Sequence, residues 1–344
     1  MKINELVGVT LPNKKDEEFL KINFDSLFSQ DFKEVKTYEF DIMGLQTIKD
    51  ENSYESSLFN ITKSLDENQK IIKIDKNIKE PIFLIHKIKE DETFFTNSLK
   101  IEVAENIKAQ VVEVFVNSSK NSAYGVNRKI VLEENATLEY VKIQDINESN
   151  SFIFATSVKQ EKNSNLKITN FEYGDGFIVN GFENIINSEF VNYELNGLLK
   201  LDKDATTSSL IKTIHNEKNS TSNINFKNSL KETSKAVVKI KSIVNETAPF
   251  SKAFQNCNTI LLSDDATIFA QPHLEILIDE LEASHGTTTG SLDQEQLLYL
   301  CSRGISKEKA YEMLLEAFES TIKNNIEDEL IKEFVTNYKR DKYV

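Results

Sequence analysis

The chain has 344 residues with 55 acidic against 41 basic side chains, a formal net charge of −14. That balance argues against a nucleic-acid binder or an anionic-membrane binder, because phosphate surfaces repel such an averaged field. At 39% apolar and 28% charged residues the composition is that of a globular protein, and no apolar run approaches the roughly 18 residues a bilayer span needs.

Two cysteines do not make a disulfide framework. With no signal-peptide pattern in the first residues, the expected compartment is a reducing cytoplasm. The expected organisation is a mixed helical region over 1–75, a β core over 76–290 and a helical region over 291–344.

In chain order, Pro12 to Phe28 places Phe19, Leu20, Ile22, Phe24 and Leu27 at helical spacing, which predicts a short helix docked on another element. Lys63 to Gln69 is polar and reads as a loop. From Ile71 to Ile278 the chain is strand-rich. Segments such as KIEVAENIKAQVVEV and KIVLEENATLEYVKI each read as strand, polar Asn-bearing turn, strand. The Asn turns recur at about 24 to 29 residues, within the range of solenoid repeats.

Many short strands with polar turns and no crossover-length helices predict a mainly β stack, either a β-helix or a sandwich. With only 10 glycines, the turns rely on Asn and Asp, which tolerate left-handed backbone. Gly174-Asp175-Gly176 reads as a turn, since the next glycine, Gly181, is too distant for a dinucleotide fingerprint. No P-loop pattern is present, so ATP binding by that route is not expected.

Ser284-His285-Gly286 reads as a turn with a polar tip. Beyond it the spacing becomes helical. Asp293 caps a helix running through Cys301, Gly304 suits its stop and Ser306 caps the next. That second helix has an apolar face of Ala310, Tyr311, Leu314, Leu315, Phe318 and Ile322. The last puts Ile326, Leu330, Phe334 and Tyr338 at four-residue spacing. Such helices either complete the local core or offer a groove to a partner.

Two residues stand out for chemistry. His285 has an imidazole able to ligate iron or move protons. Cys257 has a thiol able to hold iron or sulfur, or simply to pack as a small apolar group. His273 is placed near His285, with Glu275 and Glu282 as further acceptors. None of these makes a recognised metal spacing, so a complete metal site within the chain is not expected. Asp293 and Glu295 read as helix-start charges, and Cys301 as a packing residue.

The run from Pro272 to Ile305 carries a resemblance. Leu274-Glu275-Ile276, Ser284-His285-Gly286, Thr288, Gly290, Leu292-Asp293, Leu297, Tyr299-Leu300 and Ser302-Arg303-Gly304-Ile305 resemble the C-terminal signature of the SufB/SufD family of iron–sulfur cluster assembly proteins. The Ser-His-Gly form is similar to the SufD branch, although Ala283 stands where that branch usually has a cysteine. Cys257-Asn-Thr-Ile-Leu-Leu-Ser resembles a SufB-branch segment whose cysteine is implicated in holding sulfur. Pro12 to Phe28 resembles a SufD-type N-terminal motif, with Phe19 in place of its tryptophan.

The resemblance implies a right-handed parallel β-helix core and a scaffold rather than a free-standing enzyme. It implies pairing with a SufB-like subunit through the last β segments. It also implies docking of the SufC ATPase on the helical tail, at Tyr311, Leu314 and Phe318. His285, with Cys257, would lie at the interface where a transient Fe–S cluster is assembled. There His285 would serve as a metal ligand beside ligands from SufB, with no cofactor held tightly by this chain alone. The rival from another class is a polysaccharide-acting β-helix lyase or hydrolase, which needs clustered carboxylates along a groove. Another is a SufB-like homodimeric scaffold, favoured by Cys257.

Overall fold

The computed structural model describes residues 2–5, 12–13, 15–38, 45–50, 54, 56–65 and 68–338. Tight turns at Ile3–Glu5 and Glu17–Phe19 precede α1 (Asp25–Ser29), β1 (Glu34–Thr37), β2 (Gln46–Lys49) and α2 (Leu58–Leu65). The strands continue as β3 (Asn68–Ile74), β4 (Ile82–Ile88), β5 (Thr93–Val103), β6 (Lys108–Asn117), β7 (Ala123–Leu132) and β8 (Thr137–Ile146). Then come β9 (Ser151–Gln160), β10 (Asn165–Gly174), β11 (Phe177–Ile186), β12 (Asn192–Leu201) and β13 (Thr206–His215). The last strands are β14 (Thr221–Leu230), β15 (Lys235–Val244), β16 (Lys252–Leu261), β17 (Thr267–Ile276) and β18 (Glu282–Gly290). Helices α3 (Gln294–Ser302), α4 (Lys307–Lys323) and α5 (Glu329–Thr336) form the tail.

Each strand from β5 to β16 pairs in parallel with the strands two before and two after it in sequence. Odd-numbered strands stack into one sheet in the order β17-β15-β13-β11-β9-β7-β5-β3-β2. Even-numbered strands stack into a second, from β18 to β4. The result is a mainly β parallel solenoid, which settles the choice between β-helix and sandwich. β2 runs antiparallel to β3 at the first end.

The period-2 alternation sends one set of side chains between the sheets and the other outward. On β8, Leu138 and Tyr140 enter the core between the sheets, while Val141 and Ile143 face the tail. The turns use Asn as expected. Asn106, Asn135 and Asn163 all have positive φ, and their amides form a ladder, Asn135 Nδ2 donating to Asn106 Oδ1 at 3.0 Å and Asn163 Nδ2 to Asn135 Oδ1 at 3.2 Å. Successive rungs here are 29 and 28 residues apart. The same left-handed corner holds Phe190 and Phe250, with φ of 59° and 60°. These are costly positions for bulky residues, and both rings point to solvent.

The interior also holds charge, which the sequence reading missed. Glu113 on β6 and Arg128 on β7 are fully buried and form a two-pronged pair, with Nη2 to Oε1 at 2.6 Å and Nε to Oε2 at 3.0 Å. His86 Nε2 meets Glu113 Oε1 at 2.6 Å, and the Tyr140 hydroxyl donates to Oε2. Burial alone would raise the Glu113 pKa, but Arg128 and His86 outweigh it and hold the carboxyl well below its ordinary value. One rung on, in register with Glu113, stands Lys142. Its ammonium donates to Gln144 Oε1 at 2.9 Å and Asn180 Oδ1 at 2.7 Å, and lies 4.0 Å from the Phe154 ring centroid. Burial lowers the Lys142 pKa and raises that of nearby Glu172.

Both outer faces are covered in part. Phe19, Phe24, Leu27, Leu58 and Phe59 pack on the odd-stranded sheet, against residues such as Ile153, Val179 and Leu210. Ile322, Ile326, Ile331 and Val335 of the tail pack on Val114, Val141, Ile143 and Phe171 of the even-stranded sheet. Glu139 on β8 anchors the tail, accepting the backbone N–H groups of Glu327 (2.7 Å) and Asp328 (3.0 Å).

Several local expectations are corrected. The expected helix over Pro12 to Phe28 is split into the turn at Glu17–Phe19 and α1, with Leu20 exposed and Lys21 between them at φ of 80°, which a continuous helix does not allow. The expected loop over 63–69 is largely regular, since α2 runs to Leu65 and β3 begins at Asn68. On α5 the buried face is Ile331 and Val335, while Leu330 is exposed. Of the four-residue spacing from Ile326, Ile326 is buried and Phe334 and Tyr338 pack against the same cluster, so Leu330 is the one member that faces solvent.

Arg128→Met should expose the cost of the unpaired carboxylate, a loss of about 3–5 kcal/mol at pH 7. The folded pKa of Glu113 is depressed, so its contribution is present above the unfolded value of 4.5 and is lost as pH falls below it. In the variant that contribution is already gone. Urea unfolding of both proteins should therefore show a stability gap that narrows between pH 7 and pH 3. A gap that stays constant or widens would contradict the arrangement.

Candidate functional site at the open end of the solenoid

β17 and β18 are the last rung, and among the described residues no strand pairs with their outer edges. Ser284, His285 and Gly286 lie inside β18, paired with Phe254, Gln255 and Asn256 of β16. This corrects the expected turn. A short polar sequence reads as a turn in isolation, but here the backbone is fixed by the β16 ladder. Among the described residues no further strand covers β18, and most of it is exposed.

Register places the candidate residues. Cys257 belongs to the core between the sheets, so Gln255 and Thr259, two positions either side, point the same way. Gln255 pairs with His285 and Cys257 with Thr287. His285 therefore stands one rung above Gln255 on the inward face, diagonal to Cys257, at the mouth of the open end. The tertiary structure brings together the two residues singled out for chemistry.

Their states differ. His285 is exposed. Cys257 is buried, and its thiol accepts from Asn228 Nδ2 at 3.3 Å. Burial pushes its pKa up to about 11, with the Asn228 donor opposing. Asn228 Nδ2 also reaches Thr259 Oγ1 at 3.0 Å. Gln255 Nε2 donates to Ser242 Oγ at 2.8 Å and to the His273 carbonyl at 3.0 Å. Asn228 and Gln255 were missed from sequence. Stacking the repeats at the true rung length would have found them, because it places Asn228 under Thr259 and Gln255 under His285.

His273 does not join this group. It pairs with Lys241 on the outward face of β17, so its ring and that of His285 lie on opposite sides of the solenoid wall. The expected proximity rested on sequence distance, which the alternation of faces overrides. Glu275 pairs with Lys241 at 3.1 Å and Glu282 with Lys252 at 2.8 Å, so neither acts as a spare ligand near His285. Among the described residues no three His, Cys, Asp or Glu side chains are grouped to hold a metal ion.

The tail follows its cap signals. Asp293 accepts from the N–H groups of Glu295 (2.9 Å) and Gln296 (3.1 Å), Ser306 caps α4 through Lys309 N (3.2 Å), and Gly304 takes φ of +88°. Tyr311, Leu314 and Phe318 are half-buried, and Lys227 Nζ lies 4.3 Å from the Phe318 ring centroid. The apolar side chains that α3 and α4 present to solvent are instead Leu298, Tyr299 and Met313, at 69%, 58% and 40% exposure. No helix of the described residues is long and apolar enough to cross a membrane.

The fold is a parallel β-solenoid whose last rung has no strand partner among the described residues, with a histidine on that rung and a helical tail folded back on one sheet. The chain belongs to the SufB/SufD family. Residues 85–318 match the family described as "SUF system FeS cluster assembly, SufBD core domain". It is similar to the iron–sulfur cluster assembly protein SufD of Escherichia coli (strain K12), 25% identical over 236 residues, which covers 68% of this chain and 56% of that protein. SufD of Plasmodium berghei is 26% identical over 237 residues, covering 68% of this chain and 18% of that protein. A SufBD family protein of Methanothermobacter thermautotrophicus is 38% identical over 85 residues, covering 25% of this chain and 21% of that protein. The match thus spans about half of the bacterial SufD and less than a fifth of the Plasmodium protein. Both of these SufD proteins match over two thirds of this chain, which supports its place in the SufD branch.

At pH 8 a thiol with a pKa near 11 is on the order of one thousandth thiolate. Iodoacetamide should therefore modify Cys301, which is partly exposed, while Cys257 stays unmodified until urea unfolds the chain. Peptide mapping by mass spectrometry reads both sites. Equal labelling of the two in the folded protein would contradict the buried placement.

Proposed function

We propose that this chain is a SufD-like subunit of an iron–sulfur cluster assembly complex, acting as a scaffold rather than as a free-standing enzyme. It pairs through its open end with a SufB-like subunit and carries a SufC-type ATPase on its tail. The observation that supports this most is the last rung. Among the described residues no strand pairs with the outer edges of β17 and β18, which a second solenoid end can satisfy strand to strand. His285 sits on that rung, so a partner docked there meets its imidazole. The cluster is cargo at such an interface, and His285 supplies one nitrogen ligand or a proton route. The partner supplies the remaining ligands. Cys257 lies beneath, and its buried thiol can take part only if the end rung loosens.

The test compares reconstituted complexes carrying wild-type chain, His285→Ala or Cys257→Ser. His285→Ala should leave assembly and melting temperature nearly unchanged, because an exposed side chain opens no core. Iron and sulfide bound per complex should fall severalfold. Equal loading would mean that the histidine is structural. Loss with Cys257→Ser alone would move the chemistry to the thiol and make the chain SufB-like.

For the tail, Leu298, Tyr299 and Met313 offer the exposed apolar surface, whereas cutting after Gly304 would strip Ile322, Ile331 and Val335 from the sheet they cover. Leu298→Ser combined with Met313→Ser should weaken ATPase-subunit binding at least tenfold, with the melting temperature unchanged. Unchanged affinity by calorimetry would place the ATPase elsewhere.

A further inference from the structure

The corner that joins each odd strand to the next even strand forms a ridge along the solenoid axis. The even-strand register places Asn163, Phe190, Asn219, Phe250 and Glu280 on successive rungs of it, each two residues ahead of a paired position. We propose that the stretch from Phe190 to Glu280 docks an extended, proline-rich segment of a partner protein, with a Lys or Arg at the end nearest Glu280.

The two phenylalanines are out of place as structural residues. The left-handed backbone of this corner carries Asn at 106, 135, 163 and 219, and Phe190 and Phe250 hold the same conformation at φ of 59° and 60°. Asn tolerates it, whereas a bulky side chain is strained there. Packing does not offset the strain, because 48% of Phe190 and 61% of Phe250 stay exposed. Strain without a gain inside the fold collects at functional sites. Two bare aromatic rings on one straight ridge form a contact surface.

Spacing identifies the occupant. Rungs lie about 4.8 Å apart, so the two corner positions stand about 9.6 Å apart with one rung between them. A polyproline II helix takes three residues per turn at about 3.1 Å each, or about 9.3 Å. Prolines one turn apart therefore meet both rings, which is how aromatic surfaces hold such segments. A β-strand repeats its face at about 6.8 Å and an α-helix at about 5.4 Å, so neither meets both rings in successive repeats. Asn219 stands between the rings. Its register neighbours are Phe190 and Phe250, so the amide ladder that ties Asn106, Asn135 and Asn163 does not continue to it. Its amide is placed to meet the backbone of the bound segment, which has no internal hydrogen bonds. Charge sets the direction. Glu189 bridges Lys162 at 4.0 Å and Lys218 at 3.2 Å, so these lysines are paired and select no anion. Glu280 follows Phe250 on the ridge, is exposed, and forms no ion pair among the described residues. The cationic end of the segment belongs there.

The test titrates the full chain, by calorimetry or NMR, with three peptides of about ten residues, long enough for three polyproline turns. One is a proline run ending in arginine, one a proline run ending in glutamate, and one a Gly-Ser run ending in arginine. The proline–arginine peptide should bind saturably and at least fivefold more tightly than either of the others. Phe190→Asn combined with Phe250→Asn gives these rungs the residue that the corner carries elsewhere, so the melting temperature should hold or rise. The same double variant should weaken binding at least fivefold. Glu280→Lys should reverse the preference between the two proline peptides. The inference is overturned if the proline–arginine peptide does not bind saturably, if either other peptide binds as tightly, or if the double variant binds like wild type. An unchanged preference in Glu280→Lys also overturns it. So does a fall in melting temperature in the double variant, because the rings would then belong to the packing of the fold. Lost self-association or lost assembly with a partner subunit, with peptide binding unchanged, would assign the rings to that contact instead.

Discussion

Every strand in the body of this protein satisfies its backbone through the strands one rung below and one rung above it. That constraint has two consequences. The register between rungs is fixed over nearly the full length of each strand, so side chains line up in columns along the axis. The stack must also end somewhere, and a parallel stack cannot cap itself without some other element covering its edge. At the first end, β2 turns antiparallel on β3. At the last end, no strand among the described residues pairs with the outer edges of β17 and β18. The candidate site follows from this geometry, because only on the last rung can an inward-facing residue such as His285 also face solvent.

The columns explain how charge is tolerated inside a narrow solenoid. Glu113, Arg128, His86 and Tyr140 surround one carboxylate with donors, which meets the requirement that a buried ion be paired and hydrogen-bonded. Lys142 one rung later is held by amide oxygens and an aromatic face. Nearer the open end the inward residues turn neutral and polar, with Asn228, Gln255, Thr259 and Cys257 in adjacent rungs. The Phe226 ring lies over Gly197, where a Cβ would stand 2.2 Å from it.

The termini divide the outer surface between them. The N-terminal segment covers part of the odd-stranded sheet and the tail covers part of the even-stranded one. Because the tail is bound both by apolar packing and by Glu139 at the start of α5, it is part of the folded unit and not a loose arm. In that placement Tyr311, Leu314 and Phe318 are half-buried, Phe318 lying against Lys227 of β14, while Leu298, Tyr299 and Met313 are exposed.

The sequence by itself determined the strand-rich repeat, the Asn corners and the helix caps at Asp293 and Ser306, and it singled out His285 and Cys257 as candidates by residue type alone. These signals are local: each depends on alternation, on a left-handed turn or on an orphan N–H within a few residues. Only the tertiary structure decided which side of the wall each residue faces and what lies one rung away. His273 and His285 are 12 positions apart in the chain yet on opposite faces. Cys257 and His285 are farther apart in sequence and become diagonal neighbours. The buried charges could not be read in advance either. A lysine or glutamate at an inward position looks, in sequence, like any solvated residue of an alternating strand until the rung above and the sheet opposite supply its partners.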